Sequence, residues 1–190
     1  WTTDIGGFFG ANINDPEFHE LLVRWFEYGC FCPVMRLHGY RWPLQPQYGT
    51  TGGATCVSGA PNEVWSYTDQ VCEILSDYLR LRERMLPYIT ELMEEAHEKG
   101  TPVMRPLFYD FPEDKESWNV ETEYMFGPKV LVKPITDADA RETDVYLPGG
   151  ASWTNAWTGE TFEGGQKVHV AAPIEQIPLF TRDGYKLPMK

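Results

Sequence analysis

Two short apolar segments of this chain each place a polar residue next to a glycine break. The first covers residues 1–5, carries Asp4 and ends at a pair of glycines; the second covers residues 34–37 and ends with His38 and Gly39. One segment of helical length lies between them. This order predicts a strand–helix–strand unit with two neighbouring parallel strands.

The polar residues of these two segments are the candidate functional residues. In folds that alternate strands and helices, side chains at the carboxyl ends of parallel strands face the active site, while the rest of each strand serves packing. Asp4, Phe8 just beyond the first glycine pair, and His38 are therefore expected around one opening, which we call the mouth.

The segment between the two predicted strands has the features of a helix over residues 16–28. Asp15 is placed to cap it, Pro16 suits its first turn and Glu17 favours the helix dipole. Apolar residues recur at helical spacing, and Gly29 is the predicted end.

The almost continuously apolar run at residues 30–37 indicates a parallel strand covered on both faces. Because proline cannot donate to a central ladder, the strand is predicted to begin at Pro33 or later. Residues 39–63, rich in Gly, Pro, Thr and Gln, are predicted to form a long functional loop after this strand.

A helical stripe of apolar residues covers residues 68–99. Pro87 interrupts this stripe, which predicts two helices or a sharp kink near Leu86, and Gly100 is the expected C-terminal glycine. The Met and Leu side chains of the stripe are interpreted as core packing.

Beyond Gly100 the pattern changes to short β-rich runs separated by glycine and proline turns, which predicts an antiparallel β-sandwich. The division into domains is therefore expected near residues 99–101, with residues 1–100 in the first and 101–190 in the second. The predicted strands are 103–108, 124–126, 129–133, 143–147, 153–156, 167–170 and 177–181.

Charge and cysteine usage narrow the class of protein. Sixteen basic and 28 acidic residues give a formal net charge of −12, which argues against nucleic acid or an anionic membrane surface as a partner. The cysteines lack a zinc-binding spacing, and Cys30 and Cys32, two apart on the predicted strand, are not expected to bridge. Buried free thiols in a cytosolic protein are the favoured interpretation for all of them: Cys30, Cys32, Cys56 and Cys72.

A series of motifs in fixed order resembles the end of the catalytic barrel of glycoside hydrolase family 31, the retaining α-glucosidases and α-xylosidases. It starts with Asp4-Ile-Gly-Gly-Phe8 and His38-Gly39 and extends over nearly the whole chain. Further members are Arg24-Trp25, Pro61-Asn-Glu-Val-Trp65, Leu86-Pro-Tyr88, Pro102-Val-Met-Arg-Pro-Leu107, Tyr124-Met-Phe-Gly127 and Trp157-Thr-Gly159.

The resemblance implies a fold and a set of roles. The chain would hold the last two strands and helices of a (β/α)8 barrel, followed by a β-sandwich, and would be a piece of a longer enzyme acting on α-linked glucosides or xylosides without metal or organic cofactor. His38 would donate to sugar hydroxyls, Phe8 would form a wall of the sugar subsite, and Asp4 would hold a polar network there. The nucleophile and the acid/base would lie before Trp1, so the chain alone would be inactive.

Other interpretations stay open at this point. The chain could be a non-catalytic carbohydrate-binding sandwich with a helical lead-in, Asp4 could cap the glycine turn, and His38 could be a satisfied turn residue. Trp153 and Trp157 suit a sugar platform or, more simply, core packing, and Arg36 suits a structural salt bridge. The surroundings of His38 tilt the substrate towards xylosides. An exposed barrel edge predicts self-association of the chain through its first hundred residues.

Overall fold

The computed structural model describes residues 2–45, 50–51, 54–55 and 58–189. Its α-helices are α1 (Pro16–Cys30), α2 (Asp69–Arg84), α3 (Leu86–Lys99) and the single turn α4 (Leu107–Asp110). Short 3-10 helices cover Val64–Ser66 and Glu116–Trp118. Its strands are β1 (Phe9–Asn12), β2 (Tyr40–Gln45), β3 (Thr50–Thr51), β4 (Ala54–Thr55), β5 (Ser58–Ala60), β6 (Met104–Arg105), β7 (Tyr124–Phe126), β8 (Val130–Val132), β9 (Glu142–Leu147), β10 (Ser152–Asn155), β11 (Thr161–Glu163), β12 (Gln166–Ala171) and β13 (Leu179–Arg182).

The strand–helix–strand unit at the start of the chain is confirmed. Ile5 and Leu37 form a parallel bridge, and β1 then pairs in parallel with β2, with α1 between them in the sequence. The Asp15 side chain accepts from the Glu17 backbone N–H and caps α1 as predicted. Pairing resumes beyond the glycine pair, so the first strand is interrupted there and does not end.

The predicted strand at residues 33–37 is wrong except at Leu37. The chain between α1 and Leu37 turns and bends instead. Arg82 of α2 donates to the carbonyl oxygens of Cys30, Cys32 and Pro33 at 2.6–2.7 Å. These carbonyls are therefore satisfied by a guanidinium and need no neighbouring strand.

The predicted helix end at Gly29 is also wrong, because α1 continues to Cys30. Gly29 instead permits close packing of the helix on the first strand: a Cβ there would lie 2.4 Å from Ile5 Cδ1. Cys30, Cys32 and Cys72 are free, as predicted. Cys30 and Cys32 are buried, whereas Cys72 is only partly buried, against the prediction. Cys30 ends a helix and is not on a strand. Cys56 lies outside the described residues.

The long loop predicted at residues 39–63 is wrong where the structure describes it. β2 pairs with β1 on one side and antiparallel with β5 on the other, and β3 pairs with β4. A Cβ on Gly59 would lie 2.7 Å from the backbone nitrogen of Arg41, so the close approach of β5 to β2 depends on this glycine.

The break near Leu86 is confirmed. Helix α2 ends at Arg84, and α3 begins at Leu86 with Pro87 in its first turn, where its missing N–H costs nothing. Gly100 caps α3 in the left-handed conformation with φ of 71°.

The second half of the chain forms two antiparallel sheets. One has six strands in the order β11-β10-β13-β8-β7-β6, and the other pairs β12 with β9. Leu131 of β8, Trp153 of β10 and Val145 of β9 belong to one buried cluster between the two sheets. Val130 and Val132 face the opposite way into a cluster with α1, α2 and α3. The second half is thus a β-sandwich whose larger sheet packs on the helices.

Six of the seven predicted strands of this half correspond to observed ones. In the remaining segment, 103–108, only Met104–Arg105 is a strand, because Pro106 is followed by the helical turn α4. The short strand β11 was not predicted. None of the helices within the described ranges is long and apolar enough to span a membrane.

Candidate functional site

The bridge between Ile5 and Leu37 fixes the orientation of the mouth. Ile5 is fully buried against α1, and Leu37 packs on the same core. Since side chains alternate along a strand, Asp4, Arg36 and His38 lie on the opposite face of the pair. The two candidate polar residues are therefore on one face, at neighbouring parallel strands.

Phe8 and His38 are brought together. Their ring centroids lie 5.5 Å apart with an angle of 39° between the planes. Phe8 is 56% exposed, and His38 is exposed as well. The N–H of Tyr40, two residues after His38, donates to the Phe8 carbonyl at 3.3 Å and so joins the two strands beside these rings. An exposed aromatic face beside an imidazole can pack on the C–H surface of a ligand while the imidazole bonds its hydroxyls.

Asp4 is placed differently from Phe8 and His38. Its carboxylate forms an ion pair with Arg36 of the adjacent strand. Arg36 is half exposed, whereas Asp4 is 24% exposed. The predicted salt bridge of Arg36 is confirmed. The Asp4 carbonyl, and not its side chain, accepts the turn hydrogen bond from Gly7 N–H at 2.7 Å.

Arg41 is a residue of this region that the sequence analysis missed. It is fully buried, and its guanidinium donates to the carbonyl oxygens of Ile5 (3.2 Å), Gly7 (2.8 Å) and Tyr40 (3.0 Å). Nothing in the local sequence marks it, because two of its three acceptors are main-chain atoms more than thirty positions earlier. A charged side chain is rarely fully buried unless it is paired. The partners of Arg41 are backbone carbonyls.

Asp4 is the one acidic residue from the described part of the first 45 residues that lies at the mouth. Asp15 caps α1, Glu20 forms a bidentate pair with Arg141 at 2.6 and 3.1 Å, and Glu27 is buried beneath the β-sandwich. Within the described ranges, no group of three or more His, Cys, Asp or Glu side chains is arranged to hold a metal ion.

The tryptophans proposed as a possible sugar platform are packing residues. Trp153 is fully buried and donates to the Pro148 carbonyl at 2.9 Å. Trp157 donates to the Ile177 carbonyl at 2.7 Å. Both indole N–H groups are thus satisfied by backbone carbonyls. Trp153 is buried between the two sheets, and Trp157 is partly buried against the cluster shared with the helices.

Two cavities of about 880 and 650 Å³ lie at junctions of helices with the β-sandwich and not at the mouth. The larger one is bordered by Trp25 and Trp118, and the smaller by Tyr78 and Trp157. The mouth itself is an exposed surface formed where the two paired strands are interrupted by glycines.

Comparison with known proteins identifies both halves of the chain. Residues 1–92 match the model of the glycosyl hydrolases family 31 TIM-barrel domain, and residues 100–187 match that of the glycosyl hydrolase family 31 C-terminal domain. The first half is accordingly the end of a TIM barrel, and the second is the domain that follows it.

Relatives and solved structures agree. An alpha-xylosidase of Saccharolobus solfataricus is 38% identical over 189 residues, covering 100% of this chain and 23% of that protein. Alpha-glucosidase 2 of Bacillus thermoamyloliquefaciens is 36% identical, covering 95% of this chain and 20% of that protein. The crystal structure of a GH31 alpha-xylosidase from a soil metagenome, complexed with xylose, superposes with a TM-score of 0.93 at 49% identity, covering 98% of this chain and 28% of that one.

The chain thus spans about a fifth to a quarter of the curated relatives it matches. The two family models and the structural superposition together cover nearly all of its residues. The chain belongs to glycoside hydrolase family 31.

Proposed function

We propose that this chain is the C-terminal portion of a retaining α-glycosidase that hydrolyses terminal α-linked glucose or xylose by an aspartyl double displacement. The names of its relatives, alpha-xylosidases and alpha-glucosidases, support the substrate class. The xylose complex of the structural neighbour at 49% identity favours xylosides within that class. An α-linked oligosaccharide or glycoside is the proposed partner.

Retention requires two carboxyl groups about 5 Å apart. One attacks the anomeric carbon while the other protonates the departing oxygen, and the second then takes a proton from the water that cleaves the glycosyl-enzyme bond. Asp4 is the acid at the mouth, and it is paired with Arg36. The described residues therefore do not supply the two catalytic carboxyl groups. We place the nucleophile and the acid/base on barrel strands that precede residue 1.

The residues of the mouth receive binding roles. His38 donates a hydrogen bond to a hydroxyl of the sugar next to the cleaved bond, and Phe8 packs on the C–H face of the same sugar. Asp4 holds Arg36 and the polar network beside them. The contact between Phe8 and His38 across two parallel strands is the observation that carries these assignments.

We also propose that the domains divide at residues 1–100 and 101–190. The first family model ends at residue 92 and the second begins at residue 100, next to this division. The left-handed cap at Gly100 ends the last helix of the first unit. The cluster between the two sheets lies entirely beyond residue 106 and gives the second unit a core of its own.

The experiment is the His38→Ala substitution in the intact enzyme that carries this chain. A hydroxyl contact that strengthens towards the transition state predicts a loss of more than about tenfold in kcat/KM with an unchanged melting temperature. His97→Ala is the matched control, since His97 is an exposed histidine at the end of α3. Equal kcat/KM for both variants would reduce His38 to a structural residue.

A further inference from the structure

Two glycine turns carry the residues of the mouth, and both are held by side chains that lie behind them. The first turn, Gly6-Gly7, follows Asp4 and precedes Phe8; the second, Gly39, follows His38. Gly6, Gly7 and Gly39 have φ of 83°, 86° and 111°, which only glycine adopts readily. Such turns offer carbonyl groups with no strand partner, so their orientation depends on what bonds them.

Arg41 bonds the first turn. Its guanidinium is fully buried and donates to the carbonyl oxygens on both sides of Gly6, those of Ile5 and Gly7. It lies so close beneath the turn that a Cβ on Gly6 would be 2.4 Å from Nη2. The Phe18 ring of α1 supports it from below, with the guanidinium carbon 5.2 Å from the ring centroid.

Asn62 bonds the second turn. Its side-chain amide donates to the Gly39 carbonyl at 3.1 Å, and its side-chain oxygen accepts from the Tyr67 hydroxyl at 2.5 Å. The two turns also touch each other directly. A Cβ on Gly39 would lie 2.3 Å from the Gly7 carbonyl oxygen and 2.5 Å from that of Phe8.

We propose that Arg41 and Asn62 are positioning residues that set the separation of Phe8 and His38 in the sugar subsite. Arg41 acts through the turn that carries Phe8, and Asn62 acts through the turn that carries His38. Neither residue touches the substrate. The inference rests on the proposed function of the mouth and extends it from the contact residues to the network that orients them.

This role depends on the planar fork of the Arg41 guanidinium and not on a positive charge alone. Two of its nitrogens reach carbonyls on either side of a single residue, whereas a lysine ammonium at that place can bond only part of this set. A displacement of about 1 Å at a substrate-positioning group lowers the rate by up to about 100-fold. Loss of either contact is therefore expected to reduce turnover well before it unfolds the protein.

The test is a pair of double-mutant cycles in the intact enzyme. Arg41→Lys and Asn62→Leu are each expected to lower kcat/KM by roughly 10- to 100-fold. In the His38→Ala background, Asn62→Leu should lower kcat/KM by less than about threefold, because the side chain that Asn62 positions is gone. For the same reason, Arg41→Lys should lower kcat/KM by less than about threefold in the Phe8→Ala background. Tyr67→Phe removes the hydroxyl that donates to Asn62 and should give a smaller loss in the same direction.

The control is Arg105→Lys, which changes another buried arginine, in the β-sandwich, and should keep kcat/KM within about twofold. Additive losses in both cycles, or an equal loss from Arg105→Lys, would overturn the proposal and leave Arg41 and Asn62 as general stabilisers. If His38→Ala has no effect by itself, the proposed function of the mouth fails instead. The two failures are therefore distinct.

Discussion

Glu27 gives the strongest prediction for stability. It lies fully buried where α1 meets α2 and the β-sandwich, with Oε2 3.1 Å from Arg24 Nη1 and Oε1 3.0 Å from the Tyr78 hydroxyl. Arg24 itself donates to the carbonyl oxygens of Ala140, Ala172 and Pro173 at 2.7–3.1 Å. The cluster joins the barrel helices to the second half of the chain.

The hydrogen bonds of Tyr78 indicate where the proton is. Its hydroxyl oxygen lies 3.0 Å from Glu27, 3.1 Å from the Glu175 carbonyl and 3.1 Å from the N–H of Ile177. Because a hydroxyl has one proton, it cannot donate to both Glu27 and Glu175. Both contacts are satisfied when Glu27 is neutral and donates to Tyr78, which then donates to Glu175.

Burial raises the pKa of Glu27 from 4.5 to about 8, against the opposing effect of Arg24. A rise of this size corresponds to a stability difference on the order of 5 kcal/mol. The folded state holds the proton more tightly than the unfolded state. The contribution of Glu27 to the free energy of unfolding is therefore greatest below pH 4.5, falls as the pH rises towards 8, and then levels off.

Glu27→Gln tests this directly, since its amide can accept from Arg24 and donate to Tyr78 as the neutral acid does. Urea denaturation followed by tryptophan fluorescence, at a concentration where the chain is monomeric, would compare the variants between pH 5.5 and 8.5. We expect a difference within about 1 kcal/mol at pH 5.5 and a gain for Glu27→Gln on the order of 3 kcal/mol at pH 8.5.

Glu20→Gln on the same helix is the control. The hydrogen bond to Arg141 lowers the pKa of Glu20, so the stability it contributes is present above its unfolded pKa and is lost only on acidification. Glu20→Gln should leave the change in the free energy of unfolding between pH 5.5 and 8.5 as it is in the wild type. If Glu27→Gln also showed the wild-type pH dependence, the buried neutral carboxyl would be refuted.

Two further predictions concern the fold and the assembly of the chain. Gly39→Ala should destabilise the fold by about 3 kcal/mol, because its Cβ would meet the carbonyls of Gly7 and Phe8 in a strained conformation. The control Gly100→Ala, at a glycine with φ of 71° and open space around it, should cost about 1 kcal/mol. Equal losses in urea denaturation would show that the contact between the turns is unimportant. Light scattering should show self-association of the 190-residue chain, because Phe9 (67%), Leu44 (40%) and other apolar side chains of the first half are exposed. A monodisperse monomer of the whole chain would contradict this.

The helices were predictable because their determinants are local. Asp15 and Pro16 begin α1, Pro87 separates α2 from α3, and Gly100 ends α3, each through a hydrogen bond or backbone angle within one turn. The β-sandwich was predictable as a class from its turns and alternating residues. The local rule failed at Gly29, where packing against Ile5 and not helix termination explains the glycine.

The failures occurred where distant groups satisfy the backbone. Residues 33–36 have the composition of a strand, but Arg82, fifty positions later, bonds the carbonyls that lead into them. Likewise, Arg41 bonds Ile5 and Gly7 across more than thirty positions. Asp4, Phe8 and His38 were placed at the mouth from strand ends and family resemblance, and the network behind them became visible only in three dimensions.

The most direct measurement of the central claim is covalent trapping of the glycosyl-enzyme. The intact enzyme would be treated with 5-fluoro-α-D-xylopyranosyl fluoride, digested, and mapped by mass spectrometry, with the isolated 190-residue chain treated in parallel. A retaining mechanism whose nucleophile precedes this chain predicts a labelled aspartate outside residues 1–190 and an isolated chain that is neither labelled nor active on aryl α-xylosides. A label on Asp4, or turnover by the isolated chain above background, would contradict it.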